Sequence, residues 1–166
     1  MTLSTTIDVN VAATLLSALD LGSAQYSPTI NKRITMATGT GTGQADMIFT
    51  DTRTVSASST DALDLAGSLT GPVGGTLTFV KLKGLLVRAA AGNTNNCRVN
   101  RPASNGVPLF LAASDGIDVL PGGIFLWVAP GAGVTVTAST GDLINIDNSS
   151  SGSSVTYDVV IIGTSA

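Results

Sequence analysis

The chain has 166 residues, of which 11% are charged, with a net charge of −3, one cysteine and no histidine. That length suits one domain with a real core, or one domain with an arm. The composition excludes an intramolecular disulfide, a thiolate metal site and the commonest general base, and its negative balance gives no electrostatic hold on nucleic acid.

The first residues, Met1–Asp8, have no basic stretch leading into an apolar one, so they do not read as a signal peptide. No apolar run approaches the roughly 18–20 residues needed to cross a bilayer. The expectation is a soluble protein made in a cytoplasm. Few charges combined with a positive mean hydropathy point to apolar surface covered by copies of the same chain or by a scaffold.

Residues 1–24 place Val11, Leu15, Leu16 and Leu19 near helical spacing, but a second segment argues against a helix. Val11–Gly22 aligns without gaps to Val55–Ala66, with about half the positions identical, including a whole Ala-Leu-Asp-Leu element. In the second copy Ser56, Ser58, Ser59 and Thr60 compete for backbone hydrogen bonds, while Leu63 and Leu65 flank Asp64 in strand alternation. Both copies therefore read as strand–turn–strand corners, with a helix as the alternative for the first. Over 25–50, Ser27-Pro28 breaks any helix and Ile30–Met36 reads as a short strand. Thr38–Gly43, a run of alternating Thr and Gly, reads as a flexible connector.

From Ile48 strand signals recur about every ten residues, the spacing of an all-β sandwich or barrel. The predicted strands are 48–57, 61–66, 75–90, 96–101, 108–113, 117–120, 123–129, 134–139, 142–147 and 155–164. In the long 75–90 run Leu77 and Phe79 share one face but Val80 and Leu82 share the other, which predicts a bulge or bend near Val80–Gly84. Val155–Val159 alternates, and Val159–Ile162 is apolar throughout, so the last strand runs into a place buried on both faces.

Candidate chemistry is sparse. Gly39–Gly43 has no Gly-Lys-Ser/Thr after it, so the phosphate-loop reading yields to a linker. Asp142, Asp147 and Asp158 are candidates for a hard cation if the strand ends converge, with solvated carboxylates the plainer reading. Arg98 and Arg101, amid Asn93, Asn95, Asn96 and Asn100, form a polar loop suited to a partner's carboxylate or simply exposed. Cys97 without a histidine reads as a small strand residue. Trp127, in an apolar run, reads as core or interface ahead of a sugar platform. No nucleophile, base and oxyanion set assembles, so neither an enzyme nor a cofactor is expected.

The chain resembles a family of small virion proteins of tailed bacteriophages, on Gly43–Asp46, Phe49–Thr54, Asp61–Gly67, Thr76–Phe79, Pro121–Gly123, Thr140–Leu143 and Tyr157–Gly163. These are turn and strand patterns without reactive groups. The resemblance implies a capsid decoration (cement) or minor head protein on the virion surface, made in the host bacterium, with the major capsid protein as partner and self-association, most simply as a trimer. A fibre-type module recognising a host glycan is the alternative. The expected fold is an antiparallel β-sandwich, jelly-roll-like, with an N-terminal extended β arm over 1–43 and a body over 44–166. Candidate interface residues are Ile7, Val9, Val11, Leu15, Leu16, Leu19 and Leu21 in the arm, with Trp127, Val160 and Ile162 in the body. The arm, lacking a core of its own, is expected to bury its apolar face on a neighbouring subunit or, by preference, on the capsid shell.

Overall fold

Alternation sets the local structure along most of the chain. The structure, a computed structural model, describes residues 2–166 and contains no helix among them. Its strands are β1 (Thr5–Ala12), β2 (Leu15–Leu19), β3 (Gly22–Tyr26), β4 (Thr29–Thr38), β5 (Gln44–Ala45), β6 (Met47–Val55) and β7 (Thr60–Asp64). They continue as β8 (Lys81–Ala89), β9 (Cys97–Asn100), β10 (Gly116–Val119), β11 (Ile124–Val128), β12 (Val134–Thr135), β13 (Leu143–Asn148) and β14 (Val155–Thr164). Both copies of the internal echo are strands and turns, and the helical alternative is not taken.

Two antiparallel sheets form the body. One runs β11-β8-β14-β6, with β12 also on β8; the other runs β10-β9-β13-β7. The chain changes sheet at the β6–β7, β7–β8, β8–β9 and β10–β11 steps, and again at β12–β13 and β13–β14. A single apolar cluster unites their inner faces: Phe49, Leu85, Val87, Tyr157, Val159 and Ile161 from the first meet Leu63, Val99, Ile144 and Ile146 from the second. This is a β-sandwich. Each fully buried aliphatic side chain here contributes about 1.5–3 kcal/mol of transfer free energy. In β14 the inward set is Val155, Tyr157, Val159 and Ile161, and the intervening Thr156, Asp158 and Val160 are half-exposed on the outer face.

The predicted irregularity near Val80–Gly84 is present. Ile162 pairs with Gly84 and Gly163 with Leu82, leaving Lys83 as the extra residue of a bulge. The strand itself starts only at Lys81, not at 75. Gly74 and Gly75 have positive φ, and the following stretch crosses the sandwich on isolated bonds, Leu77 N–H to Leu69 O and Phe79 N–H to Leu65 O.

Two other expectations are corrected. Residues 108–113 form turns instead of a strand: Pro108 offers no N–H to a ladder, and the Ala112 N–H is taken by the Asp115 carboxylate. The strand expected over 134–139 stops at Thr135, because Thr137 turns back to hydrogen-bond Gly141 in both directions.

Residues 5–36 form one antiparallel hairpin. β1 pairs β4 from Thr5↔Met36 to Ala12↔Thr29, and β2 pairs β3 from Leu15↔Tyr26 to Leu19↔Gly22. The two ladders share one register, interrupted only around Pro28, whose carbonyl still accepts from Ala13 N–H. The Gly-Thr run that follows is a hydrogen-bonded turn in place of an open linker. The Gln44 side chain accepts from Gly41 N–H at 2.9 Å, and the Lys83 ammonium donates to the Gly41 and Gln44 carbonyls. Lys83 is 1% exposed, and burial pushes its ammonium pKa below the ordinary 10.5. The bulge is what turns this side chain out of the sandwich towards the turn.

Candidate interaction surface

Because side chains alternate across a strand, the common register sorts the hairpin's residues onto two faces. One face carries the cross-strand pairs Thr5/Met36, Ile7/Ile34, Val9/Lys32, Val11/Ile30, Leu15/Tyr26, Ser17/Ala24 and Leu19/Gly22. The other carries Thr6/Thr35, Asp8/Arg33, Asn10/Asn31, Ala12/Thr29, Leu16/Gln25 and Ala18/Ser23. The first is mainly apolar, broken by Thr5, Lys32 and Ser17, and the second is mainly polar. On the polar face Arg33 donates to Asp8 at 2.7 Å, and this bond holds the Asp8 carboxyl below its usual range.

Burial along the apolar face falls from root to tip. Met36 is buried, and Ile7, Val9 and Ile34 are half-buried. Beyond them Val11, Leu15, Leu19, Tyr26 and Ile30 are all between 58% and 68% exposed. The root rests on the outer face of the first sheet, where Met36, Ala45 and Ile162 make a small second core with Leu3, Ile7, Ile48 and Val160 around it.

That outer sheet face is itself apolar. Val160, Leu86 and Leu126 stand side by side across β14, β8 and β11, with Ile124 two residues along at 63% exposure. Arg88 separates Ile124 from Asp158 and pairs with that aspartate, which also accepts from the Thr52 hydroxyl. These bonds, Thr52 first, lower the Asp158 pKa. A groove of about 410 Å³ lies between residues 3–8 of the hairpin root and Leu86, Leu126 and Val160.

The sequence candidates thus divide. Val11, Leu15, Leu19 and, at the turn, Leu21 are open on the hairpin, while Leu16 is exposed on its polar side. Ile7 and Val9 are partly covered. Ile162 is 6% exposed beneath the root, so it is core to the root contact and offers no free surface. Val160 lines the groove, and Trp127 turns inward to pack against the main core. Sequence reasoning missed Ile30, Tyr26, Leu86, Leu126 and Ile124.

The other polar candidates, Arg98 excepted, are bonded within the chain. Asp142 accepts from Ser139 N–H, Asp147 from Thr60 and Asn100, and Asp158 from Thr52 and Arg88. Asp142 and Asp147 lie at opposite ends of β13, and Asp158 is on the other sheet. Among the described residues no three potential metal ligands cluster. Asn93 brackets Thr156, giving its Nδ2–H to the carbonyl and accepting the N–H, both at 2.9 Å. Asn95 binds Asn148 and two serine carbonyls. The asparagines therefore pin loops to strands. Arg101 donates to the Phe110 carbonyl and Arg98 is exposed. Cys97 is fully buried, and burial pushes its thiol pKa up, which suppresses the reactive thiolate.

At the β6–β7 margin, Tyr157 donates its hydroxyl to Asp61 at 2.7 Å, and Asp61 pairs with Arg53 at 3.1 Å. Burial, then the Asp61 bond, pushes the Tyr157 pKa far above its ordinary 10.0. The phenol is expected to stay protonated until the protein unfolds. Since the folded value lies above the unfolded one, its stabilising contribution is complete below pH 10.0 and is lost progressively above it. In a Tyr26→Phe background, absorbance at 295 nm should rise only together with loss of folded circular dichroism; ionisation in the folded protein would contradict the buried bond.

Comparison with protein-family models, curated proteins and solved structures finds no match to this chain.

Proposed function

We propose that the protein is a non-enzymatic structural component of a phage virion, a decoration protein that binds the outside of the capsid shell and stabilises it. The observation that carries this reading is the long two-stranded ribbon with an apolar face uncovered towards its tip, rooted on a body whose candidate carboxylates are bonded within the chain. A two-stranded ribbon is marginal by itself in water, so a surface of this kind is suited to permanent assembly. The phage-like turn and strand segments point the same way. We read the sandwich as a jelly roll, supported by its two four-stranded orders, β11-β8-β14-β6 and β10-β9-β13-β7. On this reading the partners are the major capsid protein and further copies of the chain, most simply in threes. The inward-packed Trp127 argues against a glycan-stacking platform.

The test is reconstitution. Capsids stripped of minor proteins should bind the full chain saturably, at a copy number matching the shell's local threefold positions, and should then rupture at a higher temperature. No binding to shells, with a few copies found only at the tail of purified virions, would overturn the proposal in favour of a fibre module.

A further inference from the structure

We propose that the apolar face of the ribbon of one chain docks onto the outer face of the β11-β8-β14-β6 sheet of a second copy, over Leu86, Leu126 and Ile124. The assembly is then linked head to tail. This deepens the self-association part of the proposed function, on which its threefold geometry rests, and it assigns the ribbon's apolar face to a second copy instead of to the shell.

Three observations carry the proposal. The first is continuity. The ribbon's apolar face already packs at its root on this same sheet face, through Leu3, Ile7 and Met36 against Ile48, Val160 and Ile162. The contact made within the chain is thus the start of an interface, and both of its halves run on beyond it. The ribbon half continues through the exposed Val11, Ile30, Leu15, Tyr26 and Leu19; the sheet half continues from half-buried Val160 and Leu86 to Leu126 and Ile124, which are 37% and 63% exposed.

The second is charge. Asp8–Arg33 on the ribbon and Arg88–Asp158 beside the groove are paired within the chain, and Lys32, near the root, is the one charged side chain on the ribbon's apolar face. Beyond Lys32 the ribbon face is uncharged, as are Leu86, Leu126 and Ile124, so the two surfaces carry little to select a strongly charged partner. The third is shape. The groove lies alongside residues 3–8, so an apolar element arriving there extends the covering that the root begins. The two surfaces are different patches of one chain, so the contact is heterologous, and such contacts close into rings when the rotation permits. A trimer is the simplest such ring consistent with threefold sites.

Sedimentation of the full chain at micromolar concentration should give a multiple of 16.6 kDa. Two variants disable one surface each: Leu15→Asp with Leu19→Asp on the ribbon, and Ile124→Asp with Leu126→Asp on the sheet. Either should weaken self-association by at least about 100-fold. A one-to-one mixture should recover a heterodimer, since one intact ribbon then meets one intact sheet face. A monomeric wild-type chain, or loss of assembly in only one variant, overturns the proposal. Because aspartate on β11 can unsettle the fold, a second measurement uses no such change. A photo-crosslinker replacing Leu19 should join light to isotopically heavy chains at β8 or β11. Crosslinks elsewhere on the second copy, or in virions to the capsid protein alone, also overturn it.

Discussion

Gly163→Ala is expected to destabilise the protein by roughly 3 kcal/mol, lowering the melting temperature by about 6–12 °C. Gly163 lies in β14 where the bulge brings β8 unusually close. A Cβ at this position would overlap the Lys81 carbonyl oxygen and lie 2.7 Å from Phe79 Cδ1. The first obstacle is backbone, which cannot swing aside as a side chain can, and the second is a ring 1% exposed in the main core. Relief requires the bulge to open, which would also displace Lys83. Gly92→Ala provides the control, because nothing lies within 4 Å of its added methyl. That change should stay within about 0.5 kcal/mol. Equal melting temperatures for the two variants would mean that the approach of β8 to β14 is looser than described.

The second large effect is expected at Lys83→Met. The substitution leaves the Gly41 and Gln44 carbonyls without their ammonium donor, at a cost of about 2 kcal/mol, reduced from the full value by relief of burying the cation. Thermal melts should fall by roughly 4–8 °C. Hydrogen exchange should accelerate in residues 39–45 before it does in β14. A pH signature separates this from simple loss of packing. The folded ammonium pKa lies below 10.5, so in the window between the two values the unfolded chain holds more protons and stability gains with rising pH. The variant should lose that slope. An unchanged slope would show that the ammonium is not desolvated.

Strand identity was largely legible in the sequence because period-two patterns survive folding unchanged. Val155–Val159 alternates in the sequence and alternates in burial. The bulge was legible too, as a switch in which face carried the apolar residues. Burial of a given pattern was not. Ala18-Leu19-Asp20-Leu21 and Ala62-Leu63-Asp64-Leu65 are the same tetrapeptide, yet Leu63 and Leu65 are fully buried while Leu19 and Leu21 are open. What differs is whether a second sheet lies opposite, a fact of tertiary packing that neither copy encodes locally.

The interaction surface was half legible for a related reason. The odd-numbered arm residues Ile7, Val9, Val11, Leu15 and Leu19 form one face of a strand, but their complement on β4 and β3 is defined only by the register. Leu86, Leu126 and Ile124 were hidden by the opposite ambiguity. They sit in runs where both parities are apolar, and only the sheet decides which parity faces out. The Gly-Thr run read as flexible because its stabilising partner, Lys83, lies some forty residues away.

The placement of β14 between β6 and β8 has a consequence for the order of events during synthesis. Of the four principal strands of the first sheet, the one that joins the others is made last. Until residues 155–164 leave the ribosome, β6 and β8 have no common neighbour, and the outer face bearing Val160 beside Leu86 does not exist. The ribbon, by contrast, pairs only residues close in the chain and can zip as soon as it emerges. A nascent chain can therefore pair its ribbon before its own β14 has completed the sheet face on which the ribbon's root rests.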